Sequence, residues 1–557
     1  MRKVLNSLAF SLILSSIIFA PDFILKLFTE AAQAQMERRY VRVIMLLCLG
    51  LSFTRNRSIF IGALGFFFVL EFIELHHLAY FGLPLHPMNI DKVFGEWQEV
   101  LTTGIPYIKD IYFVSLILIA CYGLAIWLFE KCRRHLYSFP YLFPILVMFG
   151  LLRAVIPVYN GQKMLIEYYC PAISRPSLYN ISSSCYYYLA NKIRGNKLAE
   201  INWRKYEVTK LDHKAKNIVF VVGESLRYDH LSLYGYERPT TPFLDSIKDD
   251  NNFIYKKAIS GATHTRGAIP MLLDLIEEPG NLESLYHKPT SLFRLAKENG
   301  YKTFLITAQE MTSLVNIGNQ YIDYTFDKYD LGDAKYDKMI DDMLPFYARK
   351  LDLGEYNFII LHQRNAHSPY EGNYKHHGDQ FMKYSLDSLD RKTRMVNSYD
   401  NAVMYYDYNI EEIFNYFTET FRDKGESYLI FTSDHGELFG ECGLFGHAMF
   451  LDVNVAQVPF WLYGLNKDED FWHTFPAKQK FYTHFEIGKI VADRLGYKVT
   501  NPNTHDDTGY ICNSLEDERF IKYKRNDDGS IATWRIGNMS EFIKVEIDGE
   551  DEDDKRR

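Results

Sequence analysis

The run Lys216-Asn-Ile-Val-Phe-Val-Val-Gly-Glu224 decides the fold. Ile218 to Val222 are all apolar and mostly β-branched, and a glycine and a carboxylate close the run. Such a stretch reads as a strand buried on both faces, as in a parallel sheet. Phe304–Thr307, Phe358–His362 and Tyr428–Ser433 repeat the form, each an apolar run ending in polar residues. Helical patterns lie between them at Pro270–Ile276, Ser291–Glu298 and Tyr399–Phe417. Strand–helix alternation of this kind predicts an α/β domain with a mostly parallel central sheet covered on both faces. Ligands of such sheets sit beyond the carboxyl ends of the strands. Here those ends carry Glu224, His362 and the pair Asp434 and His435.

The rest of the chain is of a different kind. Of 557 residues, 47% are hydrophobic and 24% charged, but residues 1–160 hold 14 Lys/Arg and 10 Asp/Glu, leaving 48 and 60 for residues 161–557. The first part is net +4 and the second net −12. The averages exclude a disordered, collagen-like or disulfide-dense chain. With no large basic excess, no nucleic-acid partner is expected.

The apolar part predicts an α-helical anchor of five transmembrane spans, since about 20 apolar residues cross a bilayer. The candidates are Val4–Ala20, Tyr40–Phe53, Ser58–Phe72, Tyr112–Phe129 and Tyr137–Val158. Thr54–Arg57 and Glu130–Arg134 are short basic loops and should be cytoplasmic, together with Arg2 and Lys3. Arg38 and Arg39 fall on the opposite side. An odd number of spans exports residues 161–557 to the periplasm and makes the protein a multi-pass inner-membrane protein. A cleavable signal peptide ending near Ala32-Gln-Ala34 is the alternative for the first segment. Four further spans make cleavage unnecessary. Residues 77–110 read as an amphipathic interfacial loop and 161–215 as a linker. The catalytic domain is expected over 216–540, with an acidic, charged tail at 541–557. Among seven cysteines, Cys170 and Cys185 are the most local exported pair for a disulfide.

Four segments offer metal or phosphate chemistry. In Ser433-Asp-His-Gly-Glu437, a carboxylate and an imidazole adjoin on a turn, and Glu224 ends another strand. Oxygen donors with one imidazole suit Zn²⁺ or, less well, Mn²⁺. Either motif alone is more simply a polar turn; the two at neighbouring strand ends point to a site. Gly261-Ala-Thr-His-Thr-Arg-Gly267 precedes a helix, where an anion is favoured. Thr263 or Thr265 there is more simply a cap, and a threonine hydroxyl needs activation to be a nucleophile. His362 and His367 lie in Leu361-His-Gln-Arg-Asn-Ala-His-Ser-Pro369, and His447 ends Gly443-Leu-Phe-Gly-His447. Each alone is more simply structural; at one sheet edge they could form a second metal site or a proton-donating shell.

These residues together resemble the phosphoethanolamine transferases, membrane-anchored members of the alkaline phosphatase/sulfatase superfamily. The resemblance runs through Gly223-Glu-Ser-Leu-Arg-Tyr-Asp-His230, Tyr234-Gly-Tyr-Glu-Arg-Pro-Thr-Thr-Pro242, Thr265 before Pro270, His362 with His367, Tyr399-Asp-Asn-Ala402 with Asp407, Ser433–Glu437 and His447. It implies zinc held by Glu224, Thr265, Asp434 and His435: one ion bound tightly, with room for a second near His367 and His447. It implies Thr265 as nucleophile, phosphatidylethanolamine as donor, a phospho-threonine intermediate, and lipopolysaccharide or another glycan as acceptor, with the chain acting as a monomer. Glu99, His362 and Arg266 are the expected substrate contacts. The sequence departs from the family in Ser260-Gly-Ala262, where Cys-Gly-Thr is frequent, in Arg266, and over Gln309–Asn316. These departures leave zinc chemistry intact and open the acceptor to lipid A, core sugar, glucan or protein. The alternatives are a glycerol-phosphate transferase of the lipoteichoic-acid-synthase type, a sulfatase-like phosphodiesterase, and a catalytically dead membrane sensor, against which the intact set Glu224, Thr265, Asp434 and His435 argues.

Overall fold

The computed structural model of the protein describes residues 2–27, 36, 38–81, 84–85, 90, 112–149, 175–194, 203–309, 314, 317–326, 341–364, 366–388, 390–441, 443–447, 451–475, 479–504, 507–513 and 519–538. The chain divides into two compact units, Met1–Lys197 with Gly440–Phe445, and Leu198–Phe439 with Gly446–Arg557.

The first unit is helical: α1 (Arg2–Leu27), α2 (Arg38–Ser52), α3 (Arg57–Phe81), α4 (Tyr112–Cys132) and α5 (Ser177–Arg194). Phe10, Leu14, Leu51, Phe60, Leu118 and Phe129 are buried, and the rings of Phe60 and Phe129 stack 3.8 Å apart. Leu12, Phe66, Leu116, Ile119 and Trp127 are exposed. Helices apolar both inside and outside are built for a non-aqueous surround. Three stretches among the described residues are long and apolar enough to cross a membrane: Arg2–Leu25, Arg57–Ala79 and Tyr112–His135. The described residues thus carry three such helices, where the sequence leads one to expect five spans. The second expected span is the 15-residue α2, which at 1.5 Å per residue falls short of the ~30 Å hydrocarbon core. The fifth lies outside the described residues beyond position 149. Arg55 donates to the carbonyls of Arg133 and Arg134 at 3.2 and 3.1 Å, Arg57 pairs with Glu130 at 2.9 Å, and Asn6 donates to the carbonyl of His135 at 3.2 Å. The basic loops and the first turns of α1 therefore meet at one end of the helices. Within the segment read as a linker, α5 is tied to α1 by Asp22, which accepts from the Ser177 hydroxyl at 2.5 Å.

The second unit is built on an eight-stranded sheet. Its strands are β1 (Asn217–Gly223), β2 (Phe253–Ile259), β3 (Lys302–Thr307), β4 (Tyr324–Phe326), β5 (Asn357–His362), β6 (Ser427–Ser433), β7 (Gln457–Leu465) and β8 (Phe481–Thr483), in the order β8-β2-β7-β6-β1-β5-β3-β4. The centre β6-β1-β5-β3 is parallel, but β7 runs antiparallel to both β6 and β2. The sheet is thus mixed: β4 on β3 and β8 on β2 also pair parallel, and the two pairings of β7 are antiparallel. The reversed direction of β7 follows from the connection between β6 and β7. Its described residues carry only the short strands Leu438–Glu441 and Leu444–Gly446 and a four-residue helix. No crossover helix is long enough to bring the chain back parallel.

Every residue of β1, β5 and β6 is buried. On one face Ile218, Phe220, Phe358, Ile360, Ile430 and Phe460 join Ile269, Leu272, Leu295, Ile487 and Val491 of covering helices. On the other, Trp461 donates to the Tyr406 hydroxyl at 3.2 Å and Phe431 lies 5.1 Å from the Tyr406 ring, so the long helix α7 (Arg391–Phe421) is clamped there. Glu207–Lys210, also in the expected linker, pairs antiparallel with Tyr497–Thr500.

Candidate metal centre and active site

The turn after β1 places Glu224. At Gly223 an added Cβ would lie 2.7 Å from the Phe431 ring, so only glycine lets the chain turn there. Ser225 takes the left-handed conformation (φ 57°), which costs a non-glycine residue about 1–2 kcal/mol. Its surroundings hold it there. Its N–H donates to Asp434 Oδ1 (3.1 Å), its hydroxyl to Glu224 Oε1 (2.8 Å), and its carbonyl accepts from Tyr399 (2.8 Å). The turn after β6 delivers Asp434 and His435 in the same way. There Gly436 is required, because a Cβ would meet Arg227 Cγ at 2.6 Å.

Glu224, Asp434 and His435 are fully buried and converge, with one ligand atom of each within 4.8 Å of the others. His435 Nε2 lies 3.4 Å from Glu224 Oε1 and 3.3 Å from Asp434 Oδ2. Its Nδ1 lies 2.9 Å from the Gly436 carbonyl. That contact assigns the proton to Nδ1 and turns the Nε2 lone pair toward the carboxylates. Thr265, the first residue of helix α6 (Thr265–Leu273), puts Oγ1 3.2 Å from Glu224 Oε2 and 3.3 Å from His435 Nε2. The cluster therefore combines two carboxylates, one imidazole and one hydroxyl at a helix N-terminus.

Two observations fit this cluster to a cation. Asp434 Oδ2 is buried with no hydrogen-bond donor, a costly state unless a charge compensates it. The two buried carboxylates also oppose each other electrostatically. Burial, then the Glu224 charge, pushes Asp434 well above the ordinary carboxylate range. Burial alone would raise Glu224 too, but His435, His367, His447 and His362 hold it below that range. The donor set suits zinc.

His367 and His447 border the cluster: their rings are 5.7 Å apart, and one ligand atom from each lies within 4.8 Å of Glu224. The ring of His447 is 4.3 Å from that of His435, and its Nδ1 is 3.2 Å from Glu437. The structure thus brings together Glu224, Thr265, Asp434, His435, His367 and His447. His362 is buried, with Nδ1 3.1 Å from the Thr307 hydroxyl and Nε2 3.2 Å from Gln309 Nε2. Burial lowers it to about 4. Arg266 follows Thr265 at the start of α6. Glu99 and Cys170 lie outside the described residues.

Sequence reasoning missed two supports. Gln309 donates from Nε2 to Glu224 Oε2 at 2.6 Å. It stands two residues past the end of β3, so the strand-end rule could have found it. Glu437, quoted in a motif but given no role, is fully buried beside His447, and burial pushes it up to about 8.

With this geometry in view, the comparisons with known proteins are specific. The Sulfatase family profile matches residues 216–497, half of the chain, spanning β1 through the strand Tyr497–Thr500. The chain belongs to the sulfatase family. Among curated relatives, phosphoethanolamine transferase EptA of Helicobacter pylori is 28% identical over 262 residues, 45% of this chain and 48% of the relative. Kdo(2)-lipid A phosphoethanolamine 7''-transferase of Salmonella typhimurium is 29% identical over 233 residues, 40% and 39%. The chain thus spans about half or less of the length of the curated relatives it matches. The integral membrane protein lipooligosaccharide phosphoethanolamine transferase A (EptA) of Neisseria meningitidis shares the fold with a TM-score of 0.58 at 17% identity, covering 92% of this chain and 95% of that one. This sulfatase-family member therefore joins a helical N-terminal unit to the family's α/β domain.

Proposed function

We propose that this sulfatase-family chain is a phosphoethanolamine transferase that moves the head group of phosphatidylethanolamine to a periplasmic lipopolysaccharide or other glycan through Thr265. The observation that carries this reading is the position of Thr265 Oγ1, between Glu224 and His435 at the N-terminus of α6. The relatives are transferases by name. Residues 260–270 also lack the Cys/Ser-x-Pro-x-Arg context that a sulfatase needs for formylglycine.

In this reading Thr265 first gives up its hydroxyl proton to solvent; Oγ then attacks the donor phosphorus and the bond to the diacylglycerol oxygen breaks. The threonine keeps the phosphoethanolamine, and diacylglycerol leaves with a proton delivered from the His367–His447 side. An acceptor hydroxyl then attacks the same phosphorus, gives its proton to that side, and frees Thr265. Glu224, Thr265, Asp434 and His435 would hold a zinc-class ion, which would supply the Lewis acidity to lower the hydroxyl's pKa and offset phosphoryl charge, worth several kcal/mol. The first N–H groups of α6 favour the anionic phosphate. Glu437 orients His447, and Gln309 holds Glu224. His362 acts as a buried positioning group, with Arg266 and Glu99 as candidate contacts to the substrates. The apolar helices keep the chain in the inner membrane, where the donor lipid resides.

The test uses full-length protein in vesicles whose phosphatidylethanolamine is labelled in the ethanolamine, alongside vesicles with glycerol-labelled phosphatidylglycerol. Ethanolamine label should reach protein and acceptor, and Thr265→Ala should abolish it. Transfer of glycerol label instead would assign the lipoteichoic-acid-synthase chemistry, and label on Thr265→Ala would remove the nucleophile.

A further inference from the structure

A second cluster of ligand-type side chains lies apart from the Thr265 centre. Asp342 precedes the short helix Met343–Ala348, and His376 and His377 lie in the 3₁₀ segment Lys375–Phe381. Both histidines aim Nε2 at one oxygen: His376 lies 3.0 Å and His377 2.9 Å from Asp342 Oδ2. The other carboxylate oxygen, Oδ1, is taken by the Tyr405 hydroxyl at 3.0 Å.

The geometry points to a divalent transition-metal site of the zinc class formed by Asp342, His376 and His377. Two imidazole nitrogens and one carboxylate oxygen are the three-ligand set that binds zinc while leaving a fourth position for water. The two imidazole–carboxylate separations are close to the edge of a zinc tetrahedron, about 3.3 Å for bonds near 2.0 Å, and all three ligand atoms lie within 4.8 Å of one another. Tyr405 does what an outer partner of a ligating carboxylate does: it fixes the group and leaves one oxygen for the ion. The rings are held as well, with His377 5.3 Å from Phe381 and 5.4 Å from Tyr405, and His376 5.6 Å from Tyr405. The three side chains are 20–23% exposed, so an ion can enter from solvent.

The site has a mechanical consequence. Asp341, the neighbour of Asp342, accepts from the Arg364 N–H at 2.8 Å, and the Arg364 carbonyl accepts from the His367 N–H at 2.9 Å. From the other side, Asn373, just before the 3₁₀ segment, donates to the His367 carbonyl at 2.7 Å. An ion joining Asp342 to His376 and His377 closes a ring around the segment that carries His367, which makes these three positioning residues.

The test is metal content of the full-length protein, purified in detergent, loaded with Zn²⁺ and freed of excess. His376→Ala/His377→Ala should carry one zinc fewer than wild type, and Asp342→Asn should match it. Asp434→Asn should lose a different ion, so the triple variant loses both. Because His376 is exposed, the single His376→Ala keeps the test valid if the double variant folds poorly: its zinc affinity at this site should fall at least tenfold. Zinc should also slow hydrogen exchange over residues 366–381 in wild type and not in the double variant. Equal zinc content in wild type and double variant, with equal exchange, would overturn the proposal and reduce the cluster to a carboxylate between two imidazoles. Neither outcome depends on whether Thr265 is the nucleophile.

Discussion

The Thr265 centre and the Asp342 cluster use similar donors, and their settings differ. Glu224, Asp434 and His435 are fully buried and leave the ends of two adjacent parallel strands. Asp342, His376 and His377 are partly exposed and come from a loop and one 3₁₀ segment. The first set is placed by the sheet: the register of β1 on β6, with Gly223 opposite Ser433, fixes where both turns emerge. Its buried carboxylates demand a compensating charge. The second set is placed by ring packing and by Tyr405, and its charges keep some water. Sheet-borne donors thus suit chemistry that needs fixed atoms, and loop-borne donors suit a brace that forms when its ion arrives.

Variants test that contrast, the largest effect first. Thr265→Ala should lower transfer by at least about a thousandfold, as loss of a covalent nucleophile does, while zinc at Asp342 is retained. Asp434→Asn should lose the tightly held ion and cut transfer by about a hundredfold or more; metal content and transfer rate, measured together, check it. Gln309→Ala acts only through Glu224 and should cost about 10–100-fold in metal affinity or activity, read as a shift of the zinc titration. If Gln309→Ala is silent, the strand-end support assigned to it is wrong.

A smaller effect is expected at Arg227 and Asp229. Arg227 is nearly buried, pairs with Asp229 at 2.6 Å and donates to the Glu437 carbonyl at 2.9 Å. Burial would raise Asp229, but the Arg227 guanidinium outweighs it and holds the carboxyl below its usual range. A lowered carboxyl stabilises the fold above the unfolded value of about 3.9, and this contribution is lost as pH falls through the folded value. Because the Asp229 side chain is 39% exposed and partly screened by water, Asp229→Asn should cost about 1 kcal/mol or less at neutral pH and flatten the acid limb of thermal unfolding measured from pH 6 to 3.

Much of this was legible in the sequence. Strands β1, β3, β5 and β6 announce themselves as apolar runs ending in polar residues, and the strand-end rule brings Glu224, Asp434 and His435 together from sequence alone. Strand β7 was not legible: Val458 to Leu462 is as apolar as β1, but no chemically capable residue ends it, and its direction depends on the connection before it. The second expected span is the shortest of those described, because α2 runs 15 residues, less than the length of a bilayer crossing. Gln309 was hidden because an amide carries no metal or proton signature; its importance lies in a single hydrogen bond to Glu224. His376 and His377 carry no signal in the sequence, because adjacent histidines gain meaning only when a distant aspartate is brought to them.

The central claim is that Thr265 becomes covalently loaded. Full-length protein incubated with phosphatidylethanolamine, without acceptor, and analysed by intact mass and peptide mapping tests it most directly. The account predicts one phosphoethanolamine adduct, mapped to Thr265, absent from Thr265→Ala and discharged by added lipopolysaccharide. Zinc-loaded wild type that turns over donor while remaining unmodified at Thr265 would contradict it.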